Sequence, residues 1–143
     1  MDCMWCFGGQ ALEEVVGFVT ELPTGAVYAH RDQTHPGRCI FAYHDHVQKM
    51  SALSQAEFTA LMGDVHVVVR ALTEVFQPDK VNIMVIGDAS THMHIHICPK
   101  YRDGKDWGKP FCLNEPEPVL KSGPEMDSII ENIRERIELC QKY

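Results

Sequence analysis

The chain has 143 residues, 45% of them hydrophobic, and a formal net charge of −7 at pH 7. That length supplies one well-buried core, so a single domain over residues 1–143 is expected. The acidic balance argues against a protein that grips a nucleic-acid polymer, a mode that needs clustered Lys and Arg, so an anionic substrate would have to be met by local groups.

At the N-terminus, Met1-Asp2-Cys3-Met4-Trp5-Cys6 lacks the basic flank and apolar stretch of a secretory signal. No apolar run reaches the roughly 18 to 20 residues needed to span a bilayer. A soluble, cytoplasmic protein with no membrane partner is expected. The six cysteines are scattered apart from Cys3 and Cys6, unlike the disulfide framework of a small secreted domain. Reduced thiols with one possible metal pair fit better.

Glu14 to Leu22 and Gly25 to His30 are rich in Val, Phe and Tyr around the turn Pro23-Thr24-Gly25, which predicts a hairpin. Pro36-Gly37 marks another turn, and Arg38 to Tyr43 reads as a third strand. Ser54 and Glu57 have capping-box spacing. Phe58, Leu61, Met62, Val65, Val69, Leu72 and Phe76 then recur at three- and four-residue steps, predicting a long amphipathic helix that stops at Pro78. Val81 to Ile86 and Thr91 to Cys98 read as two strands, and the linker Gly87-Asp88-Ala89-Ser90 is short enough for an antiparallel pair. Arg102 to Pro118, broken by Gly and Pro, is expected to be an irregular surface segment. Met126, Ile129, Ile130, Ile133 and Ile137 form the apolar stripe of a C-terminal helix. The expected fold class is α+β, with about five strands, one long helix and a C-terminal helix.

His92-Met93-His94-Ile95-His96-Ile97 is the most informative stretch, because side chains two apart on a strand share a face. Three imidazoles then point one way while Met93, Ile95 and Ile97 can enter the core. Neighbouring imidazoles about 6.6 Å apart depress one another's pKa, so at least one stays neutral near pH 7 as a nucleophile or metal ligand. A neutral imidazole nitrogen can attack phosphorus, and once protonated it leaves readily, which suits nucleotidyl or phosphoryl transfer. The competing readings are histidines that decorate an edge strand or bind metal by themselves. Lone histidines such as His30, His35 and His66 carry no such pattern, and His66 on the polar side of the long helix is read as solvated.

The stretch His92 to Tyr101 resembles the signature of the histidine-triad (HIT) superfamily, with histidines alternating with apolar residues and then Pro and a basic residue. Pro36 to Val47 is similar to the family's third strand, and Leu53 to Glu57 to the start of its long helix. The resemblance runs from about Cys3 to about Tyr101. It implies a five-stranded antiparallel sheet, commonly joined in a homodimer into a ten-stranded one, and hydrolysis or transfer at the α-phosphate of a nucleotide. By position His94 would be the nucleophile, with His96 contacting the phosphate and His92 opening the triad. Leu22 to Gly25, Asp32-Gln33 and Val85 to Asp88 most resemble a microbial branch described as diadenosine polyphosphate hydrolases. That branch usually has Asn where Asp88 stands, and a carboxylate beside a phosphate costs repulsion. The resemblance leaves three functions open: hydrolysis of dinucleoside polyphosphates such as diadenosine tetraphosphate, hydrolysis of nucleoside phosphoramidates, or nucleotide binding with little turnover.

Cys3 and Cys6 have the spacing of a zinc-chelating pair if two further ligands come from elsewhere. In the zinc-binding branch of the superfamily, the positions matching Cys3, Cys6, His46 and His92 hold a structural metal. Alternatives are two free thiols, or a redox pair that lacks its usual βαβ context. Substrate contacts are expected from Asp88, Ser90, Thr91, Gln33, Lys100 and Trp107, with Arg38, Arg102 and the amides around Gly87 as further candidates. Trp107 could stack on a base or anchor its segment to the body.

Overall fold

The computed structural model describes residues 3–142. The expected hairpin forms from β1 (Val16–Leu22) and β2 (Gly25–His30), paired antiparallel with a bulge between Phe18 and Thr20. β3 (Cys39–Tyr43) pairs with β2, and across the centre β3 meets the strand that carries the histidines, His94–Lys100. That strand is β5, and β4 (Lys80–Met84) closes the far edge, giving one antiparallel sheet in the order β1-β2-β3-β5-β4.

The turn before β3 needs glycine: Gly37 has φ of 92°, and a Cβ there would stand 2.7 Å from the Phe76 ring. The long helix, α3 (Gln55–Phe76), starts at the expected capping box. The Glu57 amide donates to Ser54 Oγ at 3.2 Å, and the Ser54 amide to Glu57 Oε2 at 2.7 Å. It stops at Gln77, left-handed at φ 49°, with Pro78 behind it. The terminal helix, α4 (Gly123–Cys140), buries Met126, Ile133, Ile137 and Cys140.

α3 and α4 cover one face of the sheet. Leu61, Val65, Val68 and Leu72 meet the inward residues Val27, Phe41, Ile95 and Ile97 in a single apolar cluster. Period-two alternation then sends Ile40, Ala42, His94 and His96 to the opposite face, where Ile40 pairs with His96 and Ala42 with His94. A smaller cluster of Leu12, Val16 and Ile40, with Met4, Trp5 and Tyr28 against it, seats the N-terminal arm on that second face.

Several boundaries differ from expectation for identifiable reasons. Glu14 lies outside β1 because two single-turn helices, α1 (Met4–Phe7) and α2 (Gln10–Glu13), occupy the approach to Val16. β5 begins at His94 instead of Thr91, because the Met93 amide is drawn to the Val47 carbonyl at 2.8 Å, outside the ladder. β4 spans Lys80–Met84 instead of Val81 to Ile86. Residues 101–121 are irregular, as expected, but are held to the body by buried Phe111 and by a bridge between Asp32 and Leu120. No described helix is long and apolar enough to cross a membrane.

Candidate active site and metal centre

His94 and His96 stand side by side on β5 with ring centroids 5.1 Å apart. His94 Nδ1 lies 2.7 Å from the His92 carbonyl. A carbonyl only accepts, so Nδ1 carries a proton, and the neutral tautomer selected by this bond has its lone pair on Nε2. Burial, reinforced by the Arg38 charge, pushes His96 down to about 3, so it is neutral at physiological pH. His92 is also held below the usual histidine range by burial, partly opposed by its bond to the Tyr43 carbonyl.

Both strand histidines line a cavity of about 210 Å³, whose wall also includes Trp5, His30, Arg38 and Ser90. The Trp5 indole stacks on His94 at 5.2 Å between centroids and 25° between planes. Its Nε1 donates to Ser90 Oγ at 3.2 Å, and its edge meets the Tyr28 ring at 5.6 Å. Arg38 is 1% exposed. Its Nη2 donates to the Leu113 carbonyl at 3.2 Å, and its guanidinium lies 5.5 Å from the Phe111 ring centroid.

His92 departs from the expected row. Its ring turns toward His46, with Nδ1 of each 3.3 Å apart, and Cys6 Sγ lies 3.3 Å from the His46 nitrogen and 3.4 Å from the His92 nitrogen. Cys3 completes the group, and the four donor atoms all lie within 4.8 Å of one another. A tetrahedral ion with metal–nitrogen bonds of about 2.0–2.1 Å would set its two nitrogens about 3.3–3.4 Å apart, so this donor set fits a metal ion. The far side of His92 supports the same reading. Its Nε2 lies 2.6 Å from the Tyr43 carbonyl and must donate to it, which leaves Nδ1 as the free donor atom.

The remaining expected contacts are dispersed. Ser90 lines the triad cavity, and Thr91 lines a neighbouring cavity beside Cys3, His46 and His92. Asp88 is solvent-exposed on the loop between β4 and β5 and belongs to neither cavity lining. Gln33 is turned into the fold: its Nε2 donates to the His30 and Arg38 carbonyls at 2.7 and 3.2 Å, and its Oε1 accepts from the Gly37 amide at 2.8 Å. Lys100 is buried and donates to Asn82 Oδ1 and to the Asp106 and Lys109 carbonyls. Trp107 is 38% exposed, lies under the Arg102 guanidinium at 5.5 Å, and borders a separate cavity of about 770 Å³ along β4 together with Lys80, Asn82 and Lys100.

Sequence reasoning gave no role to Trp5 or His30. Trp5 lies inside the Cys3–Cys6 spacing, so any metal site there would have carried it to the sheet, and this was the available signal. His30 ends β2 and is pushed down to about 4, chiefly by burial and by the Arg38 charge. No linear pattern marks it. His35 is buried and faces Asp106 Oδ2 at 3.2 Å, whereas His66 is exposed on α3 as expected.

A five-stranded antiparallel sheet with helices on one face and alternate histidines on the other is the arrangement of a histidine-triad domain. The chain belongs to the HIT domain family, whose model matches residues 17–103. No curated protein matches its sequence. Among solved structures, a histidine triad protein from Bradyrhizobium japonicum superposes with a TM-score of 0.80 at 23% identity, covering 90% of this chain and 96% of that one. A hypothetical histidine triad nucleotide-binding protein from Sulfolobus tokodaii gives 0.72 at 21% identity, covering 97% and 94%. A Zn-bound histidine triad family protein from Mycobacterium smegmatis gives 0.63 at 12% identity, covering 87% and 86%.

Proposed function

We propose that the protein is a nucleotide hydrolase in which His94 Nε2 attacks the α-phosphorus of a nucleotide, forms a nucleotidyl-histidine, and releases the nucleoside monophosphate to water. The observation that carries this reading is the bond between His94 Nδ1 and the His92 carbonyl, which fixes the tautomer with a nucleophilic Nε2 on a ring lining a cavity. His96, kept neutral, offers an N–H to a phosphate oxygen. Trp5 and Tyr28 supply aromatic surface for a base, and the Ser90 hydroxyl a hydrogen bond for phosphate. Dinucleoside polyphosphates such as diadenosine tetraphosphate are the favoured substrates, following the likeness of Leu22 to Gly25 and Val85 to Asp88 to that branch.

Cys3, Cys6, His46 and His92 would hold a structural zinc ion that ties the arm to the sheet, and the Mycobacterium neighbour described as Zn-bound supports that choice of metal. The free edge of β4, with Ile83 44% exposed, supports pairing of two copies into a longer sheet. Six unpaired thiols support action in the reducing cytoplasm.

The test is chromatographic detection of monophosphate release from diadenosine tetraphosphate and from adenosine phosphoramidate by the wild type and His94→Ala. His94-dependent release from either substrate supports the mechanism. Undiminished release by His94→Ala refutes it.

A further inference from the structure

Arg38 heads the largest fully buried side chains of the described residues, yet it lines the cavity that holds His94 and His96. A guanidinium presents five N–H groups in a rigid fork and stays charged in proteins. Here Nη2 serves the Leu113 carbonyl, while Nε and Nη1 have no hydrogen-bond partner. The ion-pair partner Asp32 stands 3.7 Å from Nη1, and its other oxygen is taken by the Thr34 amide at 3.0 Å and the Thr34 hydroxyl at 2.6 Å. Around it also lie the face of Phe111, the neutral rings of His30 and His96, the Cys98 and Cys112 thiols, and the Glu115 carboxylate, which is itself bonded to Lys105 at 2.7 Å. A desolvated cation with two unmet N–H donors thus borders the cavity containing the nucleophile. Such a group is a preorganised receptor for an oxyanion.

We propose that Arg38 receives the phosphate on the far side of the scissile bond, so that the site selects nucleoside di- and polyphosphates over nucleoside phosphoramidates. The proposal rests on the reading above, in which His94 attacks the α-phosphorus. As the bond from Nε2 to phosphorus forms, the P–O bond to the leaving phosphate breaks and its electron pair passes to that oxygen, raising the charge beside Arg38. Water then displaces the imidazole, the P–N pair returns to Nε2, and one water proton passes to solvent. A fork aimed at the leaving oxygens binds more tightly as their charge grows, which accelerates the first step. An amine leaving group carries no such anion and gains nothing from the guanidinium.

The experiment compares AMP release from diadenosine tetraphosphate and from adenosine phosphoramidate in the wild type, Arg38→Lys, Arg38→Gln and His94→Ala. Losing a charge-assisted fork should cost the anionic substrate about tenfold or more in kcat/KM beyond any loss on the phosphoramidate, with Arg38→Lys between wild type and Arg38→Gln. An equal loss on both substrates, or none, overturns the proposal. Because Arg38 is buried and a variant can fail to fold, the wild type supplies a second reading. The Nε–H NMR signal of Arg38 should move on saturation with ADP and stay in place with AMP, and the absence of an ADP-specific shift also overturns the proposal. An ADP-specific shift without turnover of either substrate would sink the hydrolase reading while upholding Arg38 as the receptor of the second phosphate.

Discussion

Removing a metal ion held by Cys3, Cys6, His46 and His92, as proposed above, should release Trp5 from His94. α1 spans only 4 residues, far below the roughly 12–15 at which isolated helices become even marginal in water. Ordering Cys3 to Phe7 costs about 1–2 kcal/mol per residue, or about 5–10 kcal/mol in all. Against that, Met4 and Trp5 are both only half-buried, and their burial contributes about 2–4 kcal/mol. The bond from Trp5 to Ser90 adds about 1 kcal/mol. The arm is therefore short of self-sufficiency by a few kcal/mol, and coordination by Cys3, Cys6, His46 and His92 is the interaction placed to close the gap. A Trp107→Phe protein leaves Trp5 as the single indole. Its emission should shift to the red when a strong chelator strips the metal, return when zinc is restored, and resemble the chelated state in Cys6→Ser with or without zinc. Emission that stays unchanged after elemental analysis shows the metal gone would refute the reasoning, since Trp5 would then be held by packing alone.

Other expectations concern the core of the site and its supports. His94→Ala should abolish turnover while moving the unfolding midpoint in urea little, because the ring faces the cavity and not the cluster between the sheet and α3. Stability should fall as pH drops below about 6.5, the ordinary histidine value. His30 and His96 stay neutral in the fold down to about 4 and about 3, while the unfolded chain takes up both protons earlier. Between those limits each group should contribute a slope of up to about 1.4 kcal/mol per pH unit, and a flat urea-unfolding stability from pH 6.5 to 5 would contradict it. Ser54→Ala should cost about 1 kcal/mol in the same assay by removing the capping box of α3. Ile83→Lys on the free edge of β4 should yield monomers by light scattering if two copies pair there.

What the sequence made legible follows the physical range of each signal. Period-two alternation over Met93 to Ile97 is a local property, and it sent Ile95 and Ile97 to the core and His94 and His96 to the other face as expected. The capping box at Ser54 and the stop at Pro78 are equally local, and both hold. The fate of His92 was not local. Its backbone leaves the ladder because Val47, forty-six positions from Met93, takes the Met93 amide, and this carries the ring toward His46 and the cysteine pair. The expected row of three thus divides into two imidazoles at the cavity and one beside Cys3, Cys6 and His46, the four positions that the resemblance implied as metal ligands.

The same distinction explains the substrate contacts. Gln33 and Lys100 carry polar groups suited to a ligand, and sequence alone cannot tell a donor that meets substrate from one that meets the fold's own carbonyls. Both prove to have their donors taken by backbone carbonyls, three of the four of which lie within six residues, so nothing remains to offer a phosphate without breaking those bonds. Arg38 is the converse case. It directly precedes the apolar strand β3 and is itself buried, where a charge is costly, and the cost is offset only in part by Asp32 and Leu113. Its informative property is the unmet donors, which become visible only when the segment after β5 folds back over β3 and closes the guanidinium from water.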